Sequence, residues 1–393
     1  MTTASPVQPR ILIADDQPDL LDALRLLLKG QGMAMQAVTS PEAAVASVAA
    51  GQFDLLLMDL NYTSDTTSGR EGLDLVKRIQ EHDSLLPIIV MTGWGSVGLA
   101  VESMRGGVQD FIQKPWDNDQ LVTTVRTHIE KGRACREAHA FEQREQEEAL
   151  RIQRKLLPAS MPEIDGCEIS ASWEPASGIG GDCFDAISFN RSRAAISIAD
   201  VVGRGIPAAL LMSNLQAAVR AFATETTGPA DICRNVNRIL NGNIAPGRFI
   251  SFFCGIVDTA SGTVTFSSAG HHPPILVRRD GSVERLTDGG PVLGVVSDPP
   301  YAHGQVRFGC GDRLILYTDG ITGASRAGEA NGASAPDSEP AVDEFGEHRV
   351  VDLTVANRGK SAAGLQAILV DAAKAHSGGT FGDDATLIVL AAG

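Results

Sequence analysis

The 393-residue chain has six cysteines, none of them in a paired CxxC spacing. This argues against both a disulfide framework and a cysteine-based zinc site and fits a reducing compartment. Long apolar runs are missing as well. Ala208 to Met212 and Leu55 to Met58 fall far short of the roughly 20 residues a membrane helix needs, and Met1 to Arg10 lacks the apolar core of a signal peptide. A cytoplasmic location without a membrane partner is therefore expected. Positive charge is in deficit: 33 Lys and Arg stand against 48 Asp and Glu, for a formal net charge of -15. With no basic cluster either, nucleic acid is not an expected partner. What is present is 43% hydrophobic residues and a length that suits two or three soluble domains.

The acids are placed selectively. Ile196 to Met212 reads as a buried strand, a glycine-rich turn and an apolar helix, with Asp200 at the strand end and Gly203 and Gly205 in the turn. Pro207 suits the first turn of the helix. Asp182 follows Gly180-Gly181, Asp319 ends the run Leu314 to Thr318, and Asp383 with Asp384 opens the run Leu387 to Leu390. Carboxylates gathered from separate strands repel unless cations neutralise them, and an all-oxygen set suits Mg²⁺ or Mn²⁺. Two such ions could hold a water between them and neutralise the oxygens of a phosphoryl group.

The ordered segments GGDCFD, IADVVGRGIPAALLM, SSAGHHPP, LILYTDGIT and FGDDATLIVL resemble the metal-dependent protein phosphatases related to protein phosphatase 2C, in their bacterial SpoIIE and RsbU branch. The resemblance covers roughly residues 150 to 391 and implies an αββα sandwich with two Mn²⁺ or Mg²⁺ ions at one end. It implies that Asp200 bridges the metals, that the Val201 carbonyl lies on one and Asp319 and Asp383 on the other, and that Asp182 acts through water. The four aspartates are thus the expected catalytic set. Where the family has TDG, two further residues and a Glu, this chain has Gly323 at the Glu position, followed by an Ala-, Gly-, Ser-, Pro- and Glu-rich insertion near 324–340 whose composition predicts mobility. His271 and His272 sit in an expected turn and are read as structural.

In the N-terminal third, short apolar runs alternate with helical patterns: Ile11 to Ala14, Leu55 to Met58, Ile88 to Met91 and Phe111 to Gln113. This rhythm predicts a doubly wound parallel sheet, with helix starts at Pro18, Ser40-Pro41, Ser96 and Asp117. Ligands bind such sheets at the carboxyl ends of the strands. Asp15, Asp16, Asp59, Thr92 and Lys114 fall there. The acids could hold Mg²⁺ while Asp59 attacks a phosphoryl group, Lys114 offsets charge and Thr92 hydrogen-bonds the product.

IADDQ, LLLMDLN, IIVMTGW and DFIQKP together resemble the receiver domain of two-component response regulators. That resemblance implies Asp59 as the acceptor of phosphate from a sensor histidine kinase, Mg²⁺ on Asp16 and Asp59 with the Asn61 backbone carbonyl, and switch positions at Thr92 and Phe111. The loop from Tyr62 to Arg70 is longer than usual.

The expected organisation is a flexible N-terminus (1–9), a flavodoxin-like α/β receiver domain (10–127), a helical linker (128–157) and an α+β phosphatase domain (158–393). The linker turns highly charged beyond Gly132 and keeps no heptad register, so it predicts a helical spacer, at most pairing weakly in a homodimer. The functional expectation is a response regulator whose output is dephosphorylation of phosphoserine or phosphothreonine. By resemblance the substrate is a phosphorylated anti-sigma-factor antagonist, STAS-like, in a partner-switching circuit. The alternative is a phosphorylation-controlled scaffold whose phosphatase fold is inactive.

Overall fold

A computed structural model describes residues 8–60, 62, 70–93, 106–176, 178–245, 247–325 and 343–393. Expected features at Asn61, in the loop after Tyr62, at Ser96 and through most of the 324–340 insertion lie outside them. The chain divides into two compact units, Met1–Arg144 and Glu145–Gly393.

The first unit is a five-stranded parallel sheet of β1 (Arg10–Ala14), β2 (Ala34–Val38), β3 (Leu55–Asp59), β4 (Ile88–Thr92) and β5 (Asp110–Gln113), in the order β2-β1-β3-β4-β5. Every residue of β3 and β4 is buried, which is why both read as unbroken apolar runs. Strand β2 gives no such signal because it lies at the edge, half-exposed along its length. Helices α1 (Pro18–Gly30), α2 (Pro41–Ala50) and α3 (Arg70–His82) alternate with the strands. Pro18 opens α1, and the Ser40 hydroxyl caps α2 by accepting from the Ala43 amide at 3.2 Å.

Helix α4 runs from Asn118 to Leu156. Asp117 caps it by accepting from the Gln120 amide at 2.9 Å. Leu121, Val125 and Ile129 form its buried stripe against the first unit, and Val122 is half-buried. Gly132 is required where the helix crosses Pro87, since an added Cβ would lie 2.4 Å from the proline Cγ. Arg133 then pairs with Asp54 at 2.7 Å and Arg136 with Asp83 at 2.7 Å. The boundary between the units falls within this helix, in its charged and largely exposed middle.

The second unit contains two sheets. One holds β7 (Cys183–Asn190), β8 (Arg193–Val201), β9 (Ile250–Asp258), β10 (Thr263–Ala269) and the short β13 (Gly289–Gly290), ordered β13-β10-β9-β8-β7, with β14 (Gly304–Arg307) also on β10. The other has the order β12-β11-β15-β16-β6, from β6 (Cys167–Glu174), β11 (Ile275–Val277), β12 (Val283–Arg285), β15 (Arg313–Tyr317) and β16 (Ala385–Ala392). Side chains alternate along β15 and β16. Leu314, Leu316, Ile388 and Leu390 join the core shared with the first sheet. Ile315, Tyr317, Leu387 and Val389 join the cluster formed with helices α8 (Gly346–Ala356) and α9 (Ala362–His376). Each fully buried leucine stabilises the sandwich by about 1.5–3 kcal/mol. Helices α5 (Ile206–Phe222) and α6 (Pro229–Leu240) contribute Met212, Leu215, Ile232 and Val236 to the other cluster. The layers form the expected αββα arrangement.

Candidate active site and phosphoacceptor pocket

In the first unit, β1 and β3 end beside one another and deliver Asp15, Asp16 and Asp59 to one edge. Ligand oxygens of these three lie within 4.8 Å of one another, and among the described residues they form the one such acidic group. Asp15 is fully buried, Asp59 nearly so and Asp16 half-buried. Lys114, just past β5, reaches both Asp15 Oδ2 and Asp59 Oδ2 at 2.8 Å. Backbone amides hold the other oxygens: Leu60 donates to Asp59 Oδ1 at 2.7 Å, and Gln17 to Asp15 Oδ1 at 2.9 Å.

Burial raises the Asp15 pKa despite the hydrogen bond from Lys114. Burial pulls Lys114 the other way, but its hydrogen bonds to Asp15 and Asp59 prevail, so the ammonium is retained. Thr92 closes β4, nearly buried, with its hydroxyl donating to the Gly93 carbonyl at 3.0 Å, and Phe111 is half-buried in β5. Tyr62 is a residue that pattern reading treated only as the start of a loop. Its ring is buried and its hydroxyl donates to the Ala14 carbonyl at 3.2 Å, seating it against the acidic edge.

In the second unit four aspartates come to one end of the sandwich. Asp200 is next to last in β8 and pairs with Ser251 of β9; Asp182 immediately precedes β7 at the same end. Asp319 opens a single-turn helix, α7 (Asp319–Thr322), after β15, and Asp383 lies just before β16. Gly323 closes that turn, its amide donating to the Asp319 carbonyl at 2.6 Å. The acids feel one another electrostatically, but they are spread more widely than the receiver group.

The two sheets are joined here by polar groups. Asp182 is buried, and its Oδ2 accepts from the Thr318 hydroxyl at 2.6 Å and the Thr386 hydroxyl at 2.7 Å. Asp384 is also buried; it accepts from the Gly181 amide at 2.6 Å and the Ala176 amide at 2.9 Å. Glycine is needed at three crossings. A Cβ on Gly181 would meet the Val201 carbonyl at 2.8 Å, one on Gly180 would meet Asp384 Oδ2 at 2.7 Å, and one on Gly320 would meet the Asp384 carbonyl at 2.0 Å. From α4, Gln153 donates to the Gly180 carbonyl at 2.5 Å and accepts from the Gly180 amide at 3.1 Å. Sequence patterns single out neither Gln153, Thr386 nor the bracing role of Asp384. Only the GDDAT motif, which contains both, hints at the last two, and Gln153 lies in a charged stretch that looks solvent-facing.

The donor set fits divalent cations. Among the described residues the Asp200 carboxylate has no hydrogen bond or ion pair of its own, while burial and then the charges of Asp319, Asp383 and Asp384 raise its pKa to about 7. Asp319 is raised too, by burial and by Asp383. Asp182 is driven well upward, first by burial and next by Asp200. Asp200 is half-buried and faces the exposed Asp319 and Asp383, of which Asp383 is met by Arg204 at 3.0 Å. A carboxylate so placed without a cation of its own is costly, and a hard dication removes that cost. Val201 is buried at the end of β8, directly under the glycine loop. His271 is buried, exchanges a hydrogen bond with Ser251 at 2.8 Å through Nδ1 and has its pKa pushed down to about 3 by burial and then His272. Such a neutral ring is a packing element.

A five-stranded parallel sheet with an acidic edge, followed by a two-sheet sandwich with aspartates at one end, defines a receiver domain joined to a phosphatase-type domain of the protein phosphatase 2C fold. Residues 11–126 match the response regulator receiver domain. Residues 190–392, more than half of the chain, match Stage II sporulation protein E (SpoIIE), and the chain belongs to that family. It is similar to Protein IcfG of Synechocystis sp. (25% identity, 79% of this chain, 51% of the relative). It is also similar to Phosphoserine phosphatase RsbU of Bacillus subtilis (31% identity, 44% of this chain, 52% of the relative). The chain thus spans about half the length of these curated relatives. The SiaA-PP2C domain of Pseudomonas aeruginosa shares the fold, with a TM-score of 0.54 at 20% identity over 64% of this chain and 97% of that domain. Among the described residues no helix is long and apolar enough to cross a membrane.

Proposed function

We propose that the chain is a response regulator whose output is metal-dependent hydrolysis of phosphoserine or phosphothreonine on a regulatory protein, controlled by phosphorylation of Asp59. The observation that carries this reading is the unpartnered Asp200 carboxylate, facing Asp319 and Asp383 at the end of the sandwich. Asp200, Asp319, Asp383 and the Val201 carbonyl would hold two Mn²⁺ or Mg²⁺ ions. When bound, such ions supply the charge that activates water and offsets the phosphoryl oxygens. Asp182, fixed through Oδ2 by two threonine hydroxyls, orients water at the edge of the set. Water adds to phosphorus, the P–O bond to the seryl or threonyl oxygen breaks, and that oxygen leaves with a proton.

In the receiver domain Asp15, Asp16, Asp59 and the Asn61 carbonyl would hold Mg²⁺. Asp59 attacks the phosphorus of a kinase phosphohistidine, forming an aspartyl O–P bond as the N–P bond breaks. Lys114 neutralises the product, and Thr92 and Phe111 report it. The route to the second domain is α4, whose Gln153 holds the glycine loop before Asp182. A phosphorylated anti-sigma-factor antagonist of the STAS type is the substrate this reading favours. A shift between monomer and homodimer would suit the helical linker.

Manganese titration by calorimetry tests the site: Asp319→Ala should weaken Mn²⁺ binding by about tenfold or more. Unchanged binding would sink the assignment. The scaffold alternative predicts no Asp200-dependent hydrolysis of any phosphomonoester.

A further inference from the structure

Two guanidinium groups flank the turn that follows Asp200. Arg204 is well exposed; its Nη2 lies 3.0 Å from Asp383 Oδ2 and donates to the Gly382 carbonyl at 3.1 Å. Arg248 approaches the same turn at Gly203. Its Nη1 would be 3.4 Å from a Cβ on Gly203, whose φ of 117° the turn requires. Arg248 is half-buried, yet among the described residues its side chain has neither ion pair nor hydrogen bond. An arginine stripped of much of its water and given no anion within the fold is poorly compensated unless a ligand supplies one. The Val202 amide bonds the Phe249 carbonyl at 3.1 Å, which fixes the Arg248 segment against this turn.

The surroundings are apolar as well as cationic. Ile206 and Leu210, one helical turn apart on α5, are 58% and 66% exposed; Phe249 and Val295 are exposed too. The Leu293 and Ile250 backbones exchange hydrogen bonds, placing Val295 near Phe249. An apolar rim beside two arginines suits a phosphorylated side chain presented by a protein surface and contributes little to a small, fully solvated phosphate metabolite.

We propose that Arg204 and Arg248 are the residues that recognise the substrate's phosphoryl group, and that Ile206, Leu210 and Phe249 receive the protein segment bearing it. The inference rests on the phosphatase reading above. Were a dication to take the Asp383 carboxylate, Arg204 would be free to turn to the phosphoryl oxygens, and Arg248 would give up no partner among the described residues. Arginine suits the task because its planar donors match phosphate oxygens in pairs.

The test uses the full chain with Mg²⁺. Binding of inorganic phosphate is followed by calorimetry, and hydrolysis of p-nitrophenyl phosphate by steady-state kinetics, in the wild type and in Arg204→Ala, Arg248→Ala and the corresponding Lys variants. Each Ala change should raise the phosphate Kd and the KM by about tenfold or more, with kcat altered much less, and Lys should recover part of the loss. A phosphoserine peptide with leucines on both sides should show a lower KM than free O-phosphoserine. Unchanged Kd and KM in both Ala variants overturn the assignment. So does a loss matched by an equal loss of Mg²⁺ binding, titrated by calorimetry in the same variants, which would make the arginines supports of the metal pocket. Equal KM values for peptide and free phosphoserine remove the protein-segment part. A wild type that binds phosphate through the arginines yet hydrolyses nothing would refute the phosphatase reading and leave the anion site standing.

Discussion

The two acidic sites of this chain solve the same electrostatic problem differently. In the receiver pocket three carboxylates from one parallel sheet lie within 4.8 Å, and Lys114 sits among them, bonded to two. At the sandwich end the acids come from separate strands of two sheets; Arg204 pairs with Asp383 at the exposed rim, and among the described residues no cation sits on Asp200. Its pKa therefore rises to about 7. One pocket carries its compensating charge at its centre; the other leaves its central acid, Asp200, without one among the described residues. A built-in lysine offsets two of the receiver carboxylates without a metal. On the proposed reading, the uncompensated Asp200 would make metal binding and catalytic competence one event.

Breaking the second site should have the largest effect. Asp200→Ala should lower Mn²⁺-dependent hydrolysis of an aryl phosphate by about a thousandfold, as should chelation of the metal, while labelling of Asp59 by acetyl phosphate persists. Retained hydrolysis would mean that the acids serve another purpose.

Next comes Gln153→Ala. It leaves both backbone groups of Gly180 without their partners in a buried position, so a loss of about 1–3 kcal/mol is expected in denaturant unfolding of the second unit. A fall in kcat should accompany it, because the loop carries Asp182. A stability loss without a kcat change would make Gln153 a structural bolt only.

Lys114→Ala sharpens the contrast from the other side. With its internal cation gone, the receiver pocket should come to resemble the second site. Its melting temperature should drop in chelator and be recovered by Mg²⁺ more strongly than in the wild type. An equal Mg²⁺ response in both proteins would contradict the compensating role.

The effect smallest at neutral pH, where its pH dependence vanishes, concerns His271. Its folded pKa of about 3 lies below the unfolded value near 6.5, so it stays neutral in the fold and binds a proton on unfolding. Its contribution is therefore fully present above about pH 6.5. It is lost as pH falls toward 3, by up to about 1.4 kcal/mol per pH unit. His271→Asn should flatten that part of the stability profile, as followed by urea unfolding at several pH values.

Much of this was legible in the sequence because strand-end acids and glycine turns leave local signatures. β3, β4, β8 and β16 are buried along most of their length and read as apolar runs that end or begin at Asp59, Thr92, Asp200 and Asp384. β2 escaped because an edge strand half-exposed along its length has no such run. The bracing of Asp182 by Thr318 and Thr386 was hidden because it joins residues 136 and 204 positions apart. Gln153 was hidden for a related reason: one buried amide in a charged helix shows no periodicity, and only the docked fold reveals its partner. Arg204 and Arg248 were equally silent, since Arg248 reaches the turn that holds Arg204 only through β8 and β9 pairing.

The most direct test of the account is the rate of Mn²⁺-dependent aryl phosphate hydrolysis by the full chain with and without beryllofluoride on Asp59. The account predicts a rate that depends on Asp200 and changes when the receiver is trapped, with Asp59→Asn abolishing the change. An Asp200-dependent rate indifferent to beryllofluoride would contradict receiver control, and no hydrolysis in either state would contradict the phosphatase itself.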